Sequence, residues 1–289
     1  MRTSVIFLAL ALAAAASMLA QSSATASQTG ASRVALVTVA DPRGRPLVDV
    51  SADDFVIQEA GAAREILSVR PADYPIVLLL DNGRDARGEF ELLRRAAAHF
   101  VERIGQRSLA LGTFGGIPKL VTGFEDDRET VLARLAETAG DINATSSLLQ
   151  GAALGAEAIR RTGTLFSSIV ILSSATVDGS QGSPDEMMAS IVDSSAILHV
   201  IANRSAQAMS GTGFRPGAAL LAAAEQSRGE LTTIYSVASF QAALDRLADR
   251  LTSELMIEYL VPVGSKPTDV KLGVRIAGAR VRGLGVAPK

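Results

Sequence analysis

Between residues 74 and 255 the chain alternates short, unbroken apolar runs with stretches of helical period, and that rhythm restricts the fold more than any other feature. The runs in "PIVLLLD" and "SSIVILSS" have no polar interruption, the mark of strands covered on both faces. After the first of them, "EFELLRRAAAHFVERIG" sets Phe90, Leu93, Ala97, Phe100 and Ile104 at helical spacing. "SLALGTF", "KLVTGF", "AILHVIAN" and "LTTIYS" read as further strands. "RETVLARLAET", "SLLQGAALGAEAIRR", "PDEMMASIVDSS", "GAALLAAAEQSRG" and "SFQAALDRLADRLTSEL" read as helices, the fourth of them closed by a glycine. Strand–helix alternation of this length predicts an α/β fold, a doubly wound and mostly parallel sheet with helices on both faces. Residues 74–254 are expected to form it, with 76–80 and 169–172 as central strands.

The flanks have another texture. "RVALVTVAD", "DDFVIQEAG" and "REILSVR" come before the unit, and "LMIEYLVPV", "DVKLGVRIAG" and "RVRGLGV" after it. They lack helical period and are punctuated by Gly44, Pro46, Gly61, Gly264, Pro267 and Gly278. Chain ends often lie near each other. Segments 33–72 and 255–286 are therefore expected to pair as one small β module.

The first residues predict export. A positive start at Arg2 leads into an apolar run over 5–16, and Ala24-Thr25-Ala26 fits the small-residue cleavage pattern of a signal peptide. The run is shorter than the roughly 20 residues that a membrane span needs. Cleavage of 1–26 would leave a secreted or periplasmic chain with no stable membrane insertion. Cysteine is absent, which excludes disulfides, a lipid on an N-terminal cysteine and thiol chemistry. Asn143-Ala-Thr145 and Asn203-Arg-Ser205 match the short glycosylation sequon. A net charge of −2 without a basic block gives no footprint for nucleic acid.

Ligands of open α/β sheets sit beyond the carboxyl ends of the strands, where strand order reverses. Asp81 ends the first strand of the unit, so its carboxylate is expected to face that crevice. Asp85 follows four residues later, near the start of the next helix, where an acid can also serve as a capping group. Neither glycine-rich nucleotide fingerprint occurs, and position twelve of a calcium loop begun at Asp81 is Leu92 instead of glutamate. The two histidines, His99 and His199, fall in a helix and a buried strand, where they read as packing residues that leave a hydrolase triad without a base.

Taken together, Asp81-x-Gly83-x-Asp85 after a strand, the loop "GDINATS" entering a helix, and "IVILSS" ending another strand resemble a von Willebrand factor A domain. The flanks "DPRGRPLVDVSADDFVIQEAG" and "LTSELMIEYLVPV" resemble those of secreted, von Willebrand A-related proteins of acidobacterial type. The resemblance spans residues 33–286. In that family a metal sits on D-x-S-x-S, a threonine from a later loop, and an aspartate in a "TDG" turn after a central strand. The resemblance implies a metal set of Asp81, Asp85 and either Thr145 or Ser146, with Ser146 favoured by its spacing to Leu148. Gly83 stands in place of the first serine, Asp85 in place of the second, and Ser174 in place of the aspartate. A second alignment, through Val177-Asp178-Gly179, lengthens the strand or its exit loop. Weak Mg²⁺ or Ca²⁺ binding is implied, at about 10⁻⁴ to 10⁻³ M. Two carboxylates that close repel, so without a cation one is expected to hold a proton more readily or turn toward backbone amides.

The expected function is a secreted, non-enzymatic adhesion or interaction module with a protein partner and a degenerate metal-ion-dependent adhesion site. The alternatives are a periplasmic structural or assembly component whose metal-site face is inert, and an exported hydrolase using Asp81 and Asp85.

Overall fold

The computed structural model describes residues 30–86, 88–175, 178–203 and 216–289, the side chains of the last span from 220 onward. The expected leader over 1–26, with Ala24 and Ala26, lies outside the described residues, as do Val177 and the last two positions of the second sequon.

The chain opens with β1 (Gly30–Ala40), β2 (Phe55–Glu59), β3 (Ala62–Arg64) and β4 (Ile66–Pro71). The alternating unit follows as β5 (Ile76–Leu80), α1 (Phe90–Arg103), β6 (Leu109–Thr113), β7 (Lys119–Leu120), α2 (Arg128–Glu137) and α3 (Leu148–Thr162). It continues through β8 (Ser168–Ser173), α4 (Pro184–Asp193), β9 (Ile197–Asn203), α5 (Pro216–Gln226), β10 (Glu230–Ile234) and α6 (Ser239–Thr252). Strands β11 (Leu255–Pro262), β12 (Lys271–Val274) and β13 (Arg280–Pro288) close the chain.

Strands β5 to β10 form one sheet in the order β10-β9-β8-β5-β6-β7, parallel except for β7. This is a doubly wound α/β sheet, and β5 and β8 hold its centre. Period-two geometry divides each central strand between two cores. Ile76, Leu78 and Leu80 pack with Val170, Leu172, Phe100 and Leu244 beneath α1 and α6. Val77 and Leu79 join Ile169, Ile171, Leu198 and Ile159 beneath α3 on the other face. Helix α3 rides close to the sheet because Gly155 has no side chain: a β-carbon there would lie 3.3 Å from Leu79 and Val77.

The end segments pair directly. The register of β1 with β11 runs from Gly30↔Pro262 to Val37↔Leu255, and the sheet order is β13-β1-β11-β4. A second sheet, β12-β2-β3, covers one face, and Val37, Phe55, Ile57, Ile257 and Tyr259 fill the space between. Val34 and Leu36, on the other face of β1, join the core under α1 and α6. That explains why residues 33–37 of β1 are buried without alternation: the module's larger sheet has no solvent face there. Arg33 and Glu59 form a buried ion pair between the two sheets, and the Arg33 guanidinium also donates to the Ser265 carbonyl and hydroxyl.

Three local readings of the sequence are corrected. The strand expected over "KLVTGF" stops at Leu120, because the Thr122 hydroxyl then takes the Leu111 amide at 2.9 Å. Asp85 does not cap α1; it sits in a 3₁₀ turn, Arg84–Ala86, and the helix begins only at Phe90. His99 is a half-exposed residue whose Nε2 lies 3.3 Å from Asp245, not an apolar packing residue.

Candidate functional site

Strand order reverses between β5 and β8, so the loops after them open the crevice where such sheets take ligands. Asp81 is the first residue past β5, and its amide N–H donates to the Leu172 carbonyl at 2.9 Å. That bond continues the ladder one step and turns the carboxylate into the crevice mouth, where its residue is 0% exposed. Four donors reach it. The Ser146 hydroxyl and the Gly83 amide (3.1 Å) serve Oδ1. The Ser174 amide (2.9 Å) and, at longer range, the Ser173 hydroxyl (3.5 Å) serve Oδ2. Burial pushes the Asp81 carboxyl above the usual carboxylate range. The Ser146, Gly83 and Ser174 hydrogen bonds pull it back, and the nearby Asp85 charge adds a smaller upward push.

Of the four residues singled out from the sequence, Ser146 comes to Asp81. Asp85 stays near enough to act on it electrostatically, half-buried in its 3₁₀ turn. Thr145 presents its methyl to Gly179, where a β-carbon would meet it at 2.7 Å, and its carbonyl accepts the Gly116 amide. Gly83 does more than omit a hydroxyl. A β-carbon on residue 83 would collide with the Ser146 hydroxyl and come within 3.0 Å of the Ala144 carbonyl oxygen. Ser174 contributes its backbone, while its hydroxyl oxygen is buried without a partner. Among the described residues no group of three or more His, Cys, Asp and Glu side chains is placed to hold a metal ion. The second alignment also finds its residue in another task. Asp178 accepts the Leu148 amide at 2.8 Å at the start of α3, and the Ser180 hydroxyl accepts the Gln150 amide at 3.0 Å. The two cap a helix whose own N-cap, Ser147, makes no capping bond.

Sequence reasoning passed over Asn82. Its side chain accepts the Gly115 amide at 2.8 Å and donates to the Ala139 carbonyl at 3.0 Å, joining three loops. The Arg84, Asp141, Gly116 and Ser147 amides tie the same loops together through the carbonyls of Ala144, Asn82, Thr145 and Phe114. Beside this lattice lies a cleft of about 950 Å³, with Asn82, Thr113 and Lys119 in its lining. Two isoleucines border it in the open, Ile117 at 89% exposure and Ile142 at 55%. The signal for them was there in "GGIPK" and "GDINAT", lone apolar residues inside polar loops.

No protein-family model matches the sequence, and no curated protein matches it. Solved structures do. A von Willebrand factor type A protein from Catenulispora acidiphila superposes with TM-score 0.53 and 10% identity over 91% of this chain and 74% of that one. Proximal thread matrix protein 1 from the mussel byssus gives TM-score 0.51 and 13% identity over 70% of this chain. The match spans 48% of the mussel protein, about half its length. Another structure of that mussel protein, at TM-score 0.48, has zinc occupying its metal-ion-dependent adhesion site. The fold of this chain is von Willebrand A-like, with two antiparallel sheets added at its ends.

Proposed function

We propose that this chain is a secreted, non-catalytic binding module of von Willebrand A type, related to the acidobacterial proteins its flanks resemble. It takes a protein partner on the face above the carboxyl ends of its parallel strands. The observation that carries the reading is the pair of exposed isoleucines, Ile117 and Ile142, beside a cleft of about 950 Å³ on an ordered, cross-bonded loop platform. Exposed apolar side chains rimmed by polar groups suit a protein surface far better than a small polar solute.

Cation dependence is weak or lost in this proposal, and the site is a degenerate one. The donor set fits a metal poorly. Asp81 is saturated by protein donors, residue 83 has no ligand atom, and Ser146 spends its hydroxyl on Asp81. Mg²⁺ requires near-octahedral oxygen ligands at fixed distances, so any binding has to break that ring first. Non-catalytic character is supported by the histidines: His99 pairs with Asp245 of α6, and His199 lies under α6, neither at the strand ends. No helix among the described residues is long and apolar enough to cross a membrane. Export by cleavage after Ala26, without nucleic-acid contact, completes the proposal.

The test is capture of a partner from the envelope of the source organism by the mature chain, with and without chelator. Ile117→Asp with Ile142→Asp should abolish capture, and chelator should leave it unchanged. Capture that survives the double substitution, or that vanishes with chelator, would overturn the reading.

A further inference from the structure

A second polar constellation lies away from the strand ends, between edge strand β10 and helix α6. The parallel register places His199 beside Glu230 and Ile201 beside Thr232, and period two turns these pairs toward the helix. Residues 243, 246, 247 and 250 recur on α6 at the spacing of one helical face. Together they enclose a cavity of about 130 Å³ lined by His199, Glu230, Thr232, Arg246 and Arg250. That volume exceeds the roughly 30 Å³ share of one water several-fold.

His199 is 2% exposed, and neither of its ring nitrogens has a hydrogen-bond partner. Buried polar groups are paired as a rule, and an unpaired one facing a cavity marks a missing partner. The charge around it has a sign. Glu230 is already held by Arg250 at 3.0 Å, and Arg246 makes no hydrogen bond or ion pair among the described residues. Arg282 adds its field, and the imidazole, pushed down to about 3 chiefly by burial and then by Arg250 and Arg282, is neutral at pH 7. A neutral imidazole keeps one N–H to donate. The Thr232 hydroxyl donates to Glu230 at 3.3 Å, so the cavity offers an unpaired guanidinium and an imidazole N–H donor, beside one carboxylate already held by Arg250 and Thr232.

We propose that this cavity is a binding site for a small oxyanion, a phosphate or carboxylate group, held by Arg246 at its mouth and His199 at its floor. Planar guanidinium forks match such anions in two-point geometry, and Arg246, exposed at the mouth, can close one against His199 on the floor. The two sources of that chemistry separate by probe: inorganic phosphate for a phosphate group, acetate for a carboxylate.

The mature chain has two histidines, so imidazole NMR reads the site directly, with His99 as internal reference. Phosphate and acetate are titrated at pH 7 against chloride at matched ionic strength. At least one should move the His199 signals saturably with a dissociation constant of about 1 mM or tighter, leaving His99 in place. Arg246→Ala, at an exposed position, should weaken this by about tenfold or more, the value of a charge-assisted hydrogen bond. Calorimetry on His199→Phe should show the heat of binding lost. His199 signals that drift alike with all three anions, or saturable binding unchanged in Arg246→Ala, would overturn the assignment.

Discussion

Glu254 ties the stability of the fold to pH across the neutral range. It lies 1% exposed where α6 hands over to β11, at the seam between the parallel sheet and the end-segment sheets. Its Oε2 accepts the Tyr74 hydroxyl, and its Oε1 has no partner. Arg107 stacks 4.7 Å over the Tyr74 ring, and its Nη2 donates to the Ala72 and Leu251 carbonyls at 2.7 and 2.6 Å. The nearest cation thus bonds main chain, and burial pushes the Glu254 carboxyl from 4.5 up to about 7, against smaller downward pulls from Tyr74, Arg107 and Arg250. A folded-state pKa above the unfolded value means that the folded chain binds the extra proton. Stability is then fully present below pH 4.5 and is lost as pH rises through 7. The shift corresponds to about 3 kcal/mol, most of which falls between about pH 5 and about pH 8. Glu254→Gln keeps the shape and removes the titration. Urea unfolding of both proteins at the two pH values yields a double difference in which every other group cancels. It should come to about 2–3 kcal/mol, with the wild type losing more on going to pH 8. Equal pH dependence in the two proteins would refute the assignment of a buried, proton-binding carboxyl.

His199 acts in the opposite direction. Its folded pKa of about 3 lies below 6.5, so its stability contribution is present above 6.5 and is lost as pH falls toward 3. His199→Leu should flatten that acid limb by up to about 5 kcal/mol in urea midpoints measured down to pH 3. Glu59→Gln leaves the Arg33 charge buried without its counterion and should cost about 3–5 kcal/mol, whereas Arg33→Met with Glu59→Leu should recover most of it in the same assay. Gly83→Ser should destabilise by about 1–3 kcal/mol, since its side chain enters the space of the Ser146 hydroxyl, and adding Ser146→Ala should recover part of the loss by relieving that clash. A neutral Gly83→Ser would show that the loop has room that the structure denies it.

The central sheet was legible because its strands are apolar without interruption, and no other short element reads that way: Ile76–Leu80 and its neighbour β8 lie where the pattern put them. Asp81 was legible for the same reason, as the first polar residue past such a strand. What escaped was information carried across the fold. Asp178 looks like part of a turn, and its service to Leu148, thirty positions away in sequence, exists only once β8 and α3 are side by side. Arg33 opens an apolar run, and its partner Glu59 lies on the opposing sheet, so the pair exists only once the two sheets are stacked. Asp85 was placed by helix rules, but Gly88 adopts φ +77° and the helix starts after it. His199 was legible as buried; its unpaired nitrogens were not, because they depend on α6 and β10 together.

Asp81 explains how one position can shape the proposed binding face without reaching it. A carboxylate with no exposure survives folding only if donors replace its water, and here they come from three separate stretches: Gly83 after β5, Ser146 before α3, and Ser173 and Ser174 at the end of β8. Meeting that one demand fixes the loops relative to each other. The fixed loops in turn position Gly116, bonded to Thr145, and Asp141, bonded to Asn82. Ile117 and Ile142 are the residues next to these anchors, so two apolar side chains stand in solvent on backbone that is already ordered. Ordering a loop on association costs free energy that a preformed surface does not spend. A buried acid ringed by protein donors can thus serve the proposed binding face by holding its loops still.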